Sequence, residues 1–166
     1  MNGARQLAAE PLTAAAFAPF GEIVEPGSRS ELINDGTASQ FADLATVDVA
    51  AEGGRPRVSI YRADARPWPL AIRMLERHPL GSQLFMPLSR DPFVVVVAPP
   101  GPLPDRSNIR AFVTNGRQGI SYRRGTWHHA LIALAAGEFL VLDRAGPGAN
   151  CDEFSFADGG LVLSKP

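Results

Sequence analysis

The 166-residue chain predicts an all-β, mainly barrel or jelly-roll fold with one short N-terminal helix, and three observations carry that expectation. Sixteen glycines and fifteen prolines break the sequence at short intervals, as turn-rich β folds require. Between the breakers lie short runs of β-branched and apolar residues, eight to ten of strand length. No internal repeat and no long amphipathic helix competes with them, so a closed or two-sheet β architecture is the natural packing.

Taken in order, the elements begin with the helix. Thr13 is placed to cap Ala14-Ala15-Ala16-Phe17-Ala18, and Gly21 to end it. Residues 25–40 are polar and turn-like and read as a mobile loop. Strands are expected at 58–61, 70–76, 83–88, 93–98, 109–114, 119–122, 130–134 and 138–143, with 154–156 and 161–163 as two more. Residues 93–98 are apolar throughout, which suits a strand buried on both faces or one in a dimer interface. The Pro99-Pro100-Gly101-Pro102-Leu103-Pro104 segment is a stiff surface loop rather than a domain boundary. Asn115-Gly116 is a hairpin turn signal. A single domain spanning 1–166 is expected, since this length closes one core unaided.

Composition narrows the function classes. Sixteen basic and seventeen acidic residues leave a formal charge of −1, which argues against nucleic acid or a polybasic membrane surface as partner. The one cysteine, Cys151, has no intramolecular partner, which suits a reducing compartment. Its expected role is small buried filler, because no nearby feature activates it. The N-terminal residues have no signal-peptide core, and the longest apolar run is too short to span a bilayer. A cytoplasmic location is expected, with no membrane partner.

All three histidines fall in two segments, Glu76-Arg77-His78-Pro79-Leu80-Gly81-Ser82-Gln83 and Gly125-Thr126-Trp127-His128-His129. Side chains two apart on a strand share a face, so Ile72, Met74, Glu76 and His78 are expected to point together into the barrel. Gln83 follows on the next strand, and the second segment brings one imidazole to the same interior. His128 and His129 face opposite ways on a regular strand. Both sides of the run that follows are apolar, so parity alone does not choose between them.

This arrangement resembles the cupin pattern, in which histidines and a carboxylate on neighbouring strands hold a metal inside a small barrel. The matching positions are Glu76, His78, Gln83 and His128, and the Gly-x-x-His spacing of that pattern favours His128 over His129. Glu76 stands where the pattern has a histidine and Gln83 where it has a carboxylate. A neutral amide binds a metal more weakly than a carboxylate does.

Longer blocks resemble a particular family. Leu75-Glu76-Arg77-His78-Pro79-Leu80-Gly81-Ser82-Gln83, Phe93-Val94-Val95-Val96-Val97-Ala98, Arg110-Ala111-Phe112-Val113-Thr114-Asn115-Gly116, Gly125-Thr126-Trp127-His128-His129, Asp143-Arg144 and Asn150-Cys151-Asp152 occur in this order. Together they are similar to the ureidoglycolate lyase family, also called ureidoglycolate hydrolase. The resemblance implies a cupin-like barrel, a homodimer, and cleavage of (S)-ureidoglycolate to glyoxylate and urea in allantoin breakdown. It also implies a supporting divalent metal, such as nickel or manganese. Where family members often carry Arg-aromatic-x-Asp-Leu, this chain has Gln40-Phe41-Ala42-Asp43-Leu44.

The residue chemistry suits such an elimination. His78 and His128 are the expected acid–base pair, because imidazole titrates near neutrality. Glu76 orients or tunes one of them. If a metal is held, its candidate ligands are His78, His128, Glu76 and Gln83. The substrate carboxylate calls for an arginine, whose planar fork donates two parallel hydrogen bonds. Arg62, Arg73, Arg110 and Arg144 lie near strands, with Arg110 and Arg144 favoured and Arg73 expected to point outward. Gln83 and His129 complete the expected substrate contacts. The competing expectation is a non-enzymatic barrel that binds or senses a small carboxylate, since fold alone does not set function.

Overall fold

The apolar runs pair as ladders that stack into layers around two cores. The computed structural model describes residues 5–157 and 160–166. Among the described residues a five-stranded sheet has the order Gly21–Val24, Gly119–Tyr122, Gln83–Pro87, Gly137–Ala145, Arg55–Ala63. Facing it is a larger sheet, ordered Asp152–Ser155, Met74–Arg77, Trp127–His128, Phe93–Ala98, Arg110–Val113, Ala9–Pro11, with Ile132–Ala133 also paired to Phe93–Ala98. A three-stranded sheet of Arg5–Leu7, Leu161–Leu163 and Leu70–Ile72 lies on the other side of the larger one. The result is a cupin-like, mainly-β fold.

Strand Phe93–Ala98 separates the two cores. Phe93, Val95 and Val97 point between the two main sheets, where they meet Phe85, Ile120, Phe139 and Val141. Val94, Val96 and Ala98 pack the other way, against Leu70, Ile72, Leu161 and Leu163. All six residues are buried, so the run is a strand covered on both faces. Burial of each valine contributes about 1.5–3 kcal/mol, which makes this strand the best-anchored element of the barrel.

The helix forms as expected over Ala14–Phe17, with the Thr13 hydroxyl accepting from Ala16 N at 3.3 Å. Phe17 from that helix is fully buried in the core between the main sheets.

Several expectations are corrected. Residues 25–40 contain a small hairpin, Glu31–Ile33 paired with Ala38–Gln40, turned by Asn34, Asp35 and Gly36 at positive φ. Asn115-Gly116 does not close a hairpin: Arg110–Val113 and Gly119–Tyr122 belong to different sheets, so the turn is a corner between them. Residues 130–134 contribute only Ile132–Ala133. The run 70–76 is two strands in two sheets, interrupted at Arg73, whose carbonyl accepts from Phe156 N. That interruption shifts the parity, so Ile72 faces the outer core together with Leu75, while Glu76 faces the barrel interior. Arg73 is exposed, as parity implied.

Candidate functional site

The site begins with a cross-strand pair. Glu76 and His128 stand directly opposite each other on neighbouring strands of the larger sheet, Met74–Arg77 and Trp127–His128. Their neighbours Leu75 and Trp127 point to the outer core, so alternation sends Glu76 and His128 inward. His128 Nε2 and Glu76 Oε1 are 3.5 Å apart, an ion-pair distance rather than a hydrogen bond.

His78 follows immediately on the loop that leads to strand Gln83–Pro87. Its ring centre lies 5.1 Å from that of His128. Two backbone contacts stitch the segments together. Gly125, at φ +77°, donates its N–H to the His78 carbonyl at 2.9 Å, a backbone conformation in which side-chain-bearing residues are rare. Asn150 then holds the loop from the other side, its Oδ1 accepting from Leu80 N at 2.7 Å.

Both imidazoles have a defined tautomer. His78 Nδ1 lies 2.7 Å from the Asn150 carbonyl, and His128 Nδ1 lies 2.9 Å from the Thr126 carbonyl. A carbonyl only accepts, so each Nδ1 carries a proton, and in the neutral form of either ring it is Nε2 that presents a lone pair inward. Both Nε2 atoms are buried and have no hydrogen-bond partner among the described residues. Tyr122 stacks on the His128 ring at 4.2 Å and 16°, which fixes the imidazole plane.

Electrostatics favour a charged carboxylate beside them. The neighbouring His128 imidazole holds the Glu76 carboxyl below its usual range, outweighing burial, which pushes it upward. His78 and His129 add smaller effects in the lowering direction. Tyr122, by contrast, is pushed strongly up, by burial first and by the Glu76 charge second, so it stays a neutral phenol.

The groups share a cavity of about 210 Å³, lined by Glu76 and His128 from the larger sheet, by His78 from its loop, and by Gln83, Arg57, Tyr61 and Asp143 from the five-stranded sheet. Gln83 is almost fully buried and presents its amide to the same space. An adjoining cavity of about 310 Å³ shares Arg57, His78 and Asp143 and adds Ser82, Arg144, Asn150 and Cys151. Burial first, then the Asp143 charge, raises the Tyr61 phenol, which keeps it an O–H donor at neutral pH.

The expected site residues thus divide. Glu76, His78, Gln83 and His128 come together. His129 does not join them in lining the cavity; its Nδ1 bonds the adjacent Ala130 carbonyl and its backbone N–H bonds Val96. Arg110 is on the outside, paired with Glu10 and donating to the Ala16 carbonyl. Arg62 is exposed and paired with Glu138. Arg144 reaches only the adjoining cavity, and its guanidinium is spent on the carbonyls of Ala51, Glu52 and Pro147. Cys151 is exposed rather than buried filler, 4.0 Å from Glu76 Oε2, and burial pushes its thiol up. The arginine in the main cavity is Arg57. The strand expected at 58–61 begins earlier than that, and Pro56 lies within it. On an edge strand that proline is allowed, and the strand extends over Arg55–Ala63.

Glu76, His78 and His128 each offer a ligand atom within 4.8 Å of the others. Two inward lone pairs without partners, one carboxylate and one amide oxygen make a donor set that fits a divalent cation. The carbonyls holding each Nδ1–H supply the outer partners that metal-binding histidines characteristically have.

A small β-barrel with imidazoles and a carboxylate gathered in one partly open cavity defines a cupin-like protein with a site equipped for acid–base or cation-assisted chemistry. A family model described as ureidoglycolate lyase matches residues 4–163. The ureidoglycolate lyase of Azotobacter vinelandii is 53% identical over 165 residues, covering 98% of this chain and 99% of that protein. Those of Pseudomonas syringae pv. syringae and Burkholderia mallei are 51% identical over 164 residues and 55% identical over 151. The alignments cover 98% and 90% of this chain and 96% and 88% of those proteins. The chain belongs to the ureidoglycolate lyase family.

Proposed function

We propose that the protein cleaves (S)-ureidoglycolate to glyoxylate and urea by elimination, as part of allantoin breakdown in the cytoplasm. The observation that carries this reading is the convergence of two Nδ1-protonated imidazoles and the Glu76 carboxylate in one cavity, in a chain of this family. Ureidoglycolate bears a hydroxyl, a carboxylate and a ureido nitrogen on one carbon. The hydroxyl loses its proton as the C=O bond forms and the C–N bond breaks. The departing nitrogen gains one proton, so no water is consumed. An Nε2 lone pair of His78 or His128 accepts the hydroxyl proton, and that same proton balances the leaving urea. Positioned proton transfer of this kind contributes about 10²–10⁴-fold in rate. Glu76 orients His128 and stabilises it when protonated.

A second reading is favoured by the two buried Nε2 atoms that accept no hydrogen bond among the described residues. Glu76, His78 and His128, with Gln83 as a weaker fourth donor, would hold a divalent cation such as nickel or manganese. When bound, the cation would supply Lewis acidity that lowers the pKa of the substrate hydroxyl. The imidazoles would then position rather than transfer.

A homodimer is part of this proposal. The outer face of the five-stranded sheet is apolar in register, with Leu140 between Ile60 and Met86, and Leu142 between Val58 and Leu84. Val58 is 66% exposed and Ile60 54%. A symmetric contact would bury such a patch against its own copy. No helix among the described residues is long and apolar enough to cross a membrane.

Incubation of the purified protein with racemic ureidoglycolate tests the activity. One-to-one appearance of urea and glyoxylate, stopping when the S form is gone, is expected. A protein that only bound a small carboxylate would release neither product, with or without added divalent metal, and that result would remove the lyase reading.

A further inference from the structure

We infer that Arg57 takes the carboxylate of the substrate and that Asp143 holds it ready; the identity of that substrate rests on the lyase reading. The two residues face each other directly across the ladder joining Arg55–Ala63 to Gly137–Ala145. Arg57 Nε donates to Asp143 Oδ1 at 2.8 Å and Nη2 to Oδ2 at 2.7 Å. This parallel pair fixes the guanidinium plane and leaves Nη1 outside it. The Asp143 side chain is 10% exposed, whereas that of Arg57 is 50% exposed, so the acid is the anchor and the arginine is the accessible partner.

Charge accounting points the same way. Arg57 is the one arginine or lysine among the described residues lining the cavity that holds Glu76 and His128. A substrate carboxylate entering that space meets the Glu76 and Asp143 carboxylates. In a partly desolvated cavity an anion without a cationic partner is strongly disfavoured. The other arginines expected for this task are placed elsewhere: Arg110 pairs with Glu10, Arg62 with Glu138, Arg144 with backbone carbonyls, and Arg73 is exposed outside the cavity. Arg57 lines both adjoining cavities, which places its free edge where they meet. The site therefore selects small α-substituted carboxylates over their neutral amides.

Calorimetric titration with oxamate and with oxamide, which differ by one charge at nearly constant shape, tests this. Chelator is kept present so that no cation supplies the attraction. The wild-type protein is expected to bind oxamate at least about tenfold more tightly than oxamide. Arg57→Met combined with Asp143→Asn, which leaves no stranded carboxylate, should abolish that preference, and Arg57→Lys should keep part of it. A wild-type protein without preference, or a double variant with the wild-type preference, would overturn the assignment of Arg57. If the wild-type protein releases no urea yet keeps the preference, the lyase reading fails and Arg57 stands. If it releases urea and the double variant keeps the preference, Arg57 fails alone.

Discussion

Glu76 and His128 occupy opposed positions on adjacent strands, and their side chains meet 3.5 Å apart inside the barrel. The backbone register thus sets the distance between carboxylate and imidazole. Replacing Glu76 by Gln keeps the shape and removes the charge. Turnover of ureidoglycolate is expected to fall about 10²-fold or more, with near-UV circular dichroism unchanged. Retained turnover in a folded Glu76→Gln protein would remove Glu76 from the chemistry.

The same carboxylate gives a signed pH dependence. Its pKa is lowered in the folded protein from an ordinary value of 4.5, so between those two values the unfolded chain binds more protons. Stability from this group is present above pH 4.5 and is lost as pH falls through the folded value. Thermal melting of wild type and Glu76→Gln should differ most at neutral pH and converge in acid. A gap that holds constant into acid would contradict the lowered pKa.

If the inward lone pairs hold a cation, binding stabilises only the folded state. An excess of about 100 times Kd raises stability by about 2.7 kcal/mol. Nickel or manganese should therefore raise the melting temperature of the chelator-treated protein and leave that of His78→Ala almost unmoved. Equal shifts in both proteins would place the cation elsewhere.

Arg110 and Arg144 separate surface pairing from buried support. Arg110→Ala removes a half-exposed pair with Glu10, worth at most about 1 kcal/mol, and should leave turnover intact. Arg144→Ala strips charged donors from the Ala51 and Pro147 carbonyls, and a loss of about 3 kcal/mol is expected. Urea denaturation of the two variants checks the contrast. Equal midpoints would refute it.

The apolar outer face predicts its own variant. Ile60→Asp puts a charge at the centre of the patch without touching the cores, so the fold should persist while the proposed dimer fails to form. Sedimentation velocity reads this directly, and an unchanged dimer in Ile60→Asp would move the interface to another face.

Much of this was legible in the chain. Thr13 announced the helix, and the six apolar residues from Phe93 to Ala98 announced a strand without a wet side. Glu76, His78, Gln83 and His128 were found from their spacing, although the parity used for Ile72 was wrong. A break at Arg73 reverses alternation, and nothing in Ile72-Arg73-Met74 signals it, because the cause is pairing with two separate strands. Arg57 was hidden for a related reason. Pro56 looks like an end until the strand is known to have a free edge. Alternation could not choose between His128 and His129, since both sides of that segment are apolar; the Gly-x-x-His spacing favoured His128, which is the one that lines the cavity.

The free edge of Arg55–Ala63 has one more consequence. Glu76 and His128 sit on interior strands hemmed in on both sides, whereas the arginine that would discriminate among ligands sits on the strand with a single neighbour. Recognition can therefore drift through mutation while the reactive centre stays intact, so relatives of this fold have an open route to new small acids.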